Sequence, residues 1–176
     1  MALSTSIGAE TSPSLDLLLD ETTFAISSRN ALTGSIAFAG GGTAFPAKGW
    51  SDFPLDLLLG WGAALGTGAA TCSLEFIKGP FELRLTRRGA RLRGTGYRSS
   101  RNGSYAVFEG ETDAATLHRT LALAGERCLA WCAAGAHHPR GHGDLQAMVE
   151  AAGRGALGSG PAAGRAVALH RRSDRR

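Results

Sequence analysis

The sequence predicts an α+β fold of two layers: a mainly antiparallel sheet in the order ββ-α-ββββ-αα, covered on one face by helices. Three observations predict it. Residues 71–110 alternate apolar with polar side chains between turn signals, as half-buried strands do. Residues 113–134 place Leu117, Leu121, Ala124, Cys128, Trp131 and Cys132 on one helical stripe. A sheet with one apolar face also needs a cover, and helices flank this one in sequence.

Residues 1–14 are small and polar and read as a disordered leader. Two strands follow, at residues 22–28 and 32–39. Alternation puts Phe24 with Ile26, and Ile36 with Phe38, while Asn30 turns the chain between them. Gly40, Gly41 and Gly42 break the second strand, and a short extended piece, residues 43–45, ends at Pro46. Residues 51–65 read as a helix capped by Ser51 or Asp52, with Pro54 tolerated in the first turn. Its many leucines and Trp61 predict burial on more than one side, and Gly66 and Gly68 end it.

The meander turns at Lys78-Gly79-Pro80, at Arg88-Gly89 and at Asn102-Gly103, the last a strong hairpin signal. Alternation weakens after Leu92 and returns at residues 105–109. Thr112 or Asp113 caps the long helix, and a shorter helix spans residues 144–152. Residues 15–153 are therefore read as one α+β domain and residues 154–176 as a flexible, Arg-rich tail.

Charge divides along the same line. The 176 residues carry a formal +4, but residues 154–176 hold six Arg and one acid, which leaves residues 1–153 at −1. All twelve aromatic residues lie between Phe24 and Trp131, so the core is expected there. Three cysteines make no disulfide framework and suit a reducing compartment. The start of the chain lacks a basic, apolar leader, and no apolar run approaches the roughly 20 residues of a membrane helix. A cytoplasmic protein with no membrane role is expected. The glycine runs lack the following Gly-Lys-Ser/Thr of a phosphate loop, and no cofactor is expected.

The most suggestive segment is residues 45–53, which gathers Phe45, Trp50 and Phe53 with Pro46, Gly49 and Asp52 where a strand meets a helix. Aromatics there plug the end of a sheet and an acid caps the helix. Read functionally, the same residues make a binding edge with Trp50 as its anchor. Arg84, Arg87, Arg88, Arg91, Arg93, Arg98 and Arg101 all fall in the meander, either as a solvated face or as a surface for an acidic partner. Cys128 and Cys132, with His137, His138 and His142 just beyond, are the one plausible metal-ligand cluster; both cysteines equally suit the apolar stripe as core thiols.

The motifs Phe45-Pro46, Gly49-Trp50 and Asp52-Phe53, with Trp61 and the later Phe76 and Gly79-Pro80-Phe81, give the chain a resemblance. Over residues 20–150 it resembles an uncharacterised family of small bacterial proteins whose layout is similar to that of toxin-immunity proteins. The family pattern has an aspartate before the Gly-Pro turn and a second helix tryptophan; this chain has Lys78 and Gly62. The resemblance implies no activity. By architecture alone it implies an immunity-like or accessory partner of a bacterial toxin or effector.

The expected function is thus non-enzymatic protein binding through Trp50, Asp52, Arg84, Arg91 and Arg93. Two alternatives stand beside it: a small metal- or thiol-dependent protein using Cys128, Cys132, His137 and His142, and weak nucleic-acid binding through arginines, for which no recognition motif is present.

Overall fold

The structure, a computed structural model, describes residues 13–153. Most of the predicted leader and the whole tail lie outside the described residues. The elements run β1 (Asp16–Ile26), β2 (Leu32–Gly40), β3 (Thr43–Phe45), β4 (Ser51–Asp52), α1 (Pro54–Gly66), β5 (Thr71–Glu75), β6 (Phe81–Arg88), β7 (Arg91–Ser100), β8 (Gly103–Asp113), α2 (Ala114–Ala134) and α3 (His142–Gly153). The class is α+β, as the residue pattern predicts.

The strands divide between two four-stranded antiparallel sheets. In one, β2 is central, flanked by β1 on one side and by β3 and β4 on the other. In the other, β5, β6, β7 and β8 follow in order as the expected meander. The two sheets are stitched where Leu15 N–H donates to the Glu111 carbonyl and Glu111 N–H donates to the Pro13 carbonyl, each at 2.8 Å.

Several boundaries shift for physical reasons. The first strand begins at Asp16, six residues before the expected start, because Leu17 and Leu19 pair opposite Phe38 and Ile36. β7 runs unbroken through Gly94 and Gly96, which face Leu15, Leu83, Leu85, Phe45 and Phe108. A Cβ at Gly96 would sit 2.8 Å from Phe45 Cδ2, so the neighbouring sheet packs directly on this backbone. Asp113 caps α2 as expected, accepting from Thr116 N–H at 2.7 Å. α1 is different: neither Ser51 nor Asp52 caps it, its N-cap is Phe53, and Ser51 and Asp52 pair with β2 instead.

One core joins the layers. Phe38 packs against Trp61 with ring centroids 5.0 Å apart, Phe45 stacks on Phe108 at 5.6 Å, and Phe76 meets Phe38, Phe45 and Trp61 edge-on. α1 contributes Leu55, Leu57, Leu58 and Leu65, while α2 adds Leu117, Leu121 and Cys128. Among the described residues no helix is long and apolar enough to cross a membrane.

Candidate protein-interaction surface

The 45–53 segment and the Gly79-Pro80 turn meet in space through one buried carboxylate. Asp52 is fully buried. It accepts hydrogen bonds from Trp50 Nε1–H at 3.2 Å, from Phe53 N–H at 2.9 Å and from Lys78 N–H at 3.1 and 3.3 Å. A buried acid is tolerated when its oxygens are met by donors, and these donors supply that. Asp52 therefore ties β4 to the β5–β6 turn. The expectation that it touches a partner directly is corrected: its carboxylate has no exposure with which to do so.

Asp52 orients Trp50, which starts a row of side chains. Trp50, half-buried, lies edge-on to Phe81 with centroids 5.0 Å apart. Phe81 pairs in register with Arg98, and Arg98 with Tyr105, so the three share one face of the meander. The Arg98 guanidinium stands 5.9 Å over the Phe81 ring. At the turn, Lys78 Nζ stands 4.7 Å over Phe53. A shallow depression of about 200 Å³ opens beside the row, lined by Glu75, Phe76, Gly79, Pro80, Phe81, Glu82 and Ser99. Gly79 is needed there: its φ is +106°, and a Cβ would press on Phe81 and Trp50 at 3.0 to 3.1 Å.

Three of the seven arginines of the meander have carboxylate partners. On the face turned away from the core, Arg84 pairs with Glu82 at 3.1 Å, Arg91 with Glu111 at 3.1 Å and Arg93 with Glu109 at 2.8 Å. Arg84 also lies 4.7 Å over the Tyr97 ring. The glutamate partners stand two positions away or on the adjacent strand. This face is therefore mixed in charge, with one ion pair within β6 and two between β7 and β8. Arg87 points to the other side of β6, where its Nε is buried without a hydrogen-bond partner among the described residues, near Cys72 and His118.

The cysteine–histidine group is not one site. Cys128 and Cys132 are fully buried in the core stripe of α2. Burial, with Cys132 next, pushes the Cys128 thiol up to about 12, and burial also raises Cys132. His137 stacks on Trp131 at 5.3 Å, and His138 meets His142 edge-on at 5.4 Å. Among the described residues no three His, Cys, Asp or Glu side chains gather as a metal-binding set.

A second depression, about 300 Å³, lies between β1 and α2 and is lined by Leu17, Leu19, Leu123, Ala124 and Arg127 among others. Arg127 spans it, donating to the Leu19 carbonyl at 3.2 Å and to Glu21.

Residue counting missed Phe81, Arg98 and Tyr105 as a unit. Their signal lay in the turns: Asn102-Gly103 and Arg88-Gly89 set the registers that align the three. Fold and surface together define an α+β domain presenting an aromatic–cation row, half-buried at Trp50 and Phe81 and exposed at Arg98 and Tyr105. Compared with known proteins, no family model, curated protein or solved structure matches the chain.

Proposed function

We propose that this chain is a protein-binding domain and that its partner docks on the Trp50–Phe81–Arg98–Tyr105 row and the adjoining Gly79-Pro80 turn. One observation carries the reading. Trp, Tyr and Arg, the residue types that dominate binding hot spots, line up with Phe81 in one row, in which a buried carboxylate holds Trp50 and strand register aligns the rest. Preorganised anchors of this kind lower the ordering cost of association. The ion-paired outer face of the meander supports a mixed-charge partner over a nucleic acid, because Arg84, Arg91 and Arg93 already have carboxylate partners. The setting most consistent with this reading is a bacterial, cytoplasmic one, with the chain as an immunity-like or accessory partner of a larger protein.

A thiol- or metal-dependent activity is supported less well. A thiol with its pKa near 12 is protonated at neutral pH and is a poor nucleophile or ligand there.

The test is affinity capture from the source organism with the wild-type chain and the Arg98→Glu variant in parallel. Arg98 is exposed, so the variant is expected to fold. A protein recovered at stoichiometric yield with wild type and lost with the variant is the expected result. No stoichiometric partner for either chain, or equal recovery by both, overturns the proposal.

A further inference from the structure

The depression between β1 and α2 has apolar walls. Leu17 and Leu19 line one side, Leu123 and Ala124 the other. Leu123 is 57% exposed, more than any other large apolar side chain among the described residues. Its surroundings are acidic. β1 carries Asp16 and Asp20 and α2 carries Glu126, none with an ion-pair partner among the described residues. Arg127 is engaged by Glu21, and the other arginine of α2, Arg119, turns back to donate to Thr116 at 3.2 Å. Arg127 also takes the Leu19 carbonyl, so an occupant docks here by side chains and not by strand pairing.

Residues 154–176, outside the described residues, have the complementary chemistry. They hold six arginines and one acid, and their longest apolar run, Ala166-Val167-Ala168-Leu169, stands between Arg165 on one side and Arg171 and Arg172 on the other. They leave from α3, which packs on α2 beside the depression: a Cβ at Gly125, the residue after Ala124, would meet Val149 Cγ2 at 2.8 Å and Leu145 Cδ1 at 3.4 Å. α3 ends at Gly153, about 6 Å of helix beyond Val149. The twelve residues between Gly153 and Ala166 can extend over about 40 Å, several times the roughly 10 Å diameter of a helix, so the run reaches the depression without strain.

We propose that residues 166–169 of the same chain dock in this depression, with Val167 and Leu169 against Leu17, Leu19 and Leu123, and with the flanking arginines beside Asp16, Asp20 and Glu126. Tethering favours this occupant over a separate molecule. A linker of this length holds the run at an effective concentration on the order of millimolar, where burial of two aliphatic side chains is enough to keep it bound. The charge division of the chain, positive in residues 154–176 and near neutral before them, then acts across one intramolecular contact, and raised salt weakens it. No residue lining the depression belongs to the Trp50–Phe81–Arg98–Tyr105 row, and this inference does not rest on the partner proposed above.

Paramagnetic relaxation in the full 176-residue chain is the test. A nitroxide is attached at Ser173→Cys in a Cys72→Ser background, which leaves only the buried Cys128 and Cys132 as other thiols. The expected result is a selective loss of the amide signals of Leu17, Leu19, Leu123 and Ala124, relative to the same sample with the nitroxide reduced. Val167→Asp with Leu169→Asp should bring those signals back. Leu123→Asp should do the same for Leu17, Leu19 and Ala124. Leu123 is exposed and the other two positions lie outside the described residues, so unchanged amide positions in the rest of the spectrum check that the variants fold. A mixture of isotope-labelled chain without nitroxide and unlabelled chain carrying it separates the sources: signal loss there means that a second copy fills the depression, which overturns the proposal. No selective loss in the singly labelled chain, or a loss indifferent to both sets of substitutions, overturns it as well.

Discussion

The backbone N–H of Lys78 donates to both carboxylate oxygens of Asp52, at 3.1 and 3.3 Å, across 26 residues of sequence. The donor is the peptide and not the lysine side chain, which instead reaches the Phe53 ring. Asp52→Asn puts an amide N–H₂ where an acceptor oxygen is needed and should cost about 2–4 kcal/mol, as lost charge-assisted hydrogen bonds do. Lys78→Ala keeps the peptide donor and should cost less than about 1 kcal/mol, the worth of an exposed cation–π contact. Denaturant unfolding of the two variants checks this; similar losses would mean that the ammonium group, and not the peptide, holds the turn.

Two glycines are expected to respond with opposite sign. A methyl group at Gly96 would meet Phe45 Cδ2 at 2.8 Å and Phe108 Cβ at 2.9 Å, so Gly96→Ala should destabilise by about 1–3 kcal/mol, as overpacking does. Gly60 lies within α1, and a methyl group added there would have nothing within 4 Å of it. Gly60→Ala should therefore stabilise by about 0.5–1 kcal/mol through helix propensity. Paired unfolding curves decide both.

Those glycines also explain what could be read from the sequence. The α+β class, α2 with its Asp113 cap, and the three turns of the meander were legible, because each rests on local chemistry: a period, a cap, a positive-φ turn residue. β7 was faint because its inward positions are Gly94 and Gly96, which carry no hydrophobic signal. They are glycine because Leu15 and Phe45 of the other sheet lie against them, a long-range cause. Asp52 failed as a helix cap for a similar reason. The cap reading is local, while its actual donors include Lys78 from a distant turn. The ion pairs of the arginine face could not be read by counting, since the strand register sets Arg91 opposite Asp113 and Arg93 opposite Glu111 and the pairs then run diagonally to Glu111 and Glu109.

The three thiols should separate by accessibility. Cys72 is half-buried, with its pKa raised by burial and opposed by Arg87, whereas Cys128 and Cys132 are sealed in the core. A soluble disulfide reagent at neutral pH should modify Cys72 slowly in the native protein and the other two only at the global unfolding rate. Cys72→Ser should abolish the native-state reaction. Rapid reaction at Cys128 in the folded chain would mean that α2 opens locally and would reopen the thiol-dependent reading.

Acid should weaken the fold partly through His118. It lies on α2, where burial first and the Arg87 guanidinium second hold its pKa below the ordinary 6.5. The unfolded chain therefore binds a proton at His118 before the folded chain does. Stability from this group is present above the ordinary histidine pKa and is lost as pH falls through it toward the lower folded value. Between pH 7.5 and 5.5 the wild-type melting temperature should fall more steeply than that of His118→Gln, which cannot titrate. Arg87→Gln removes the neighbouring cation and should make the wild-type slope shallower while leaving histidine in place. Because His118 is partly exposed, the difference in slope is expected to be small, but its sign is set: a steeper acid loss in His118→Gln than in wild type would contradict the placement of His118 beside Arg87.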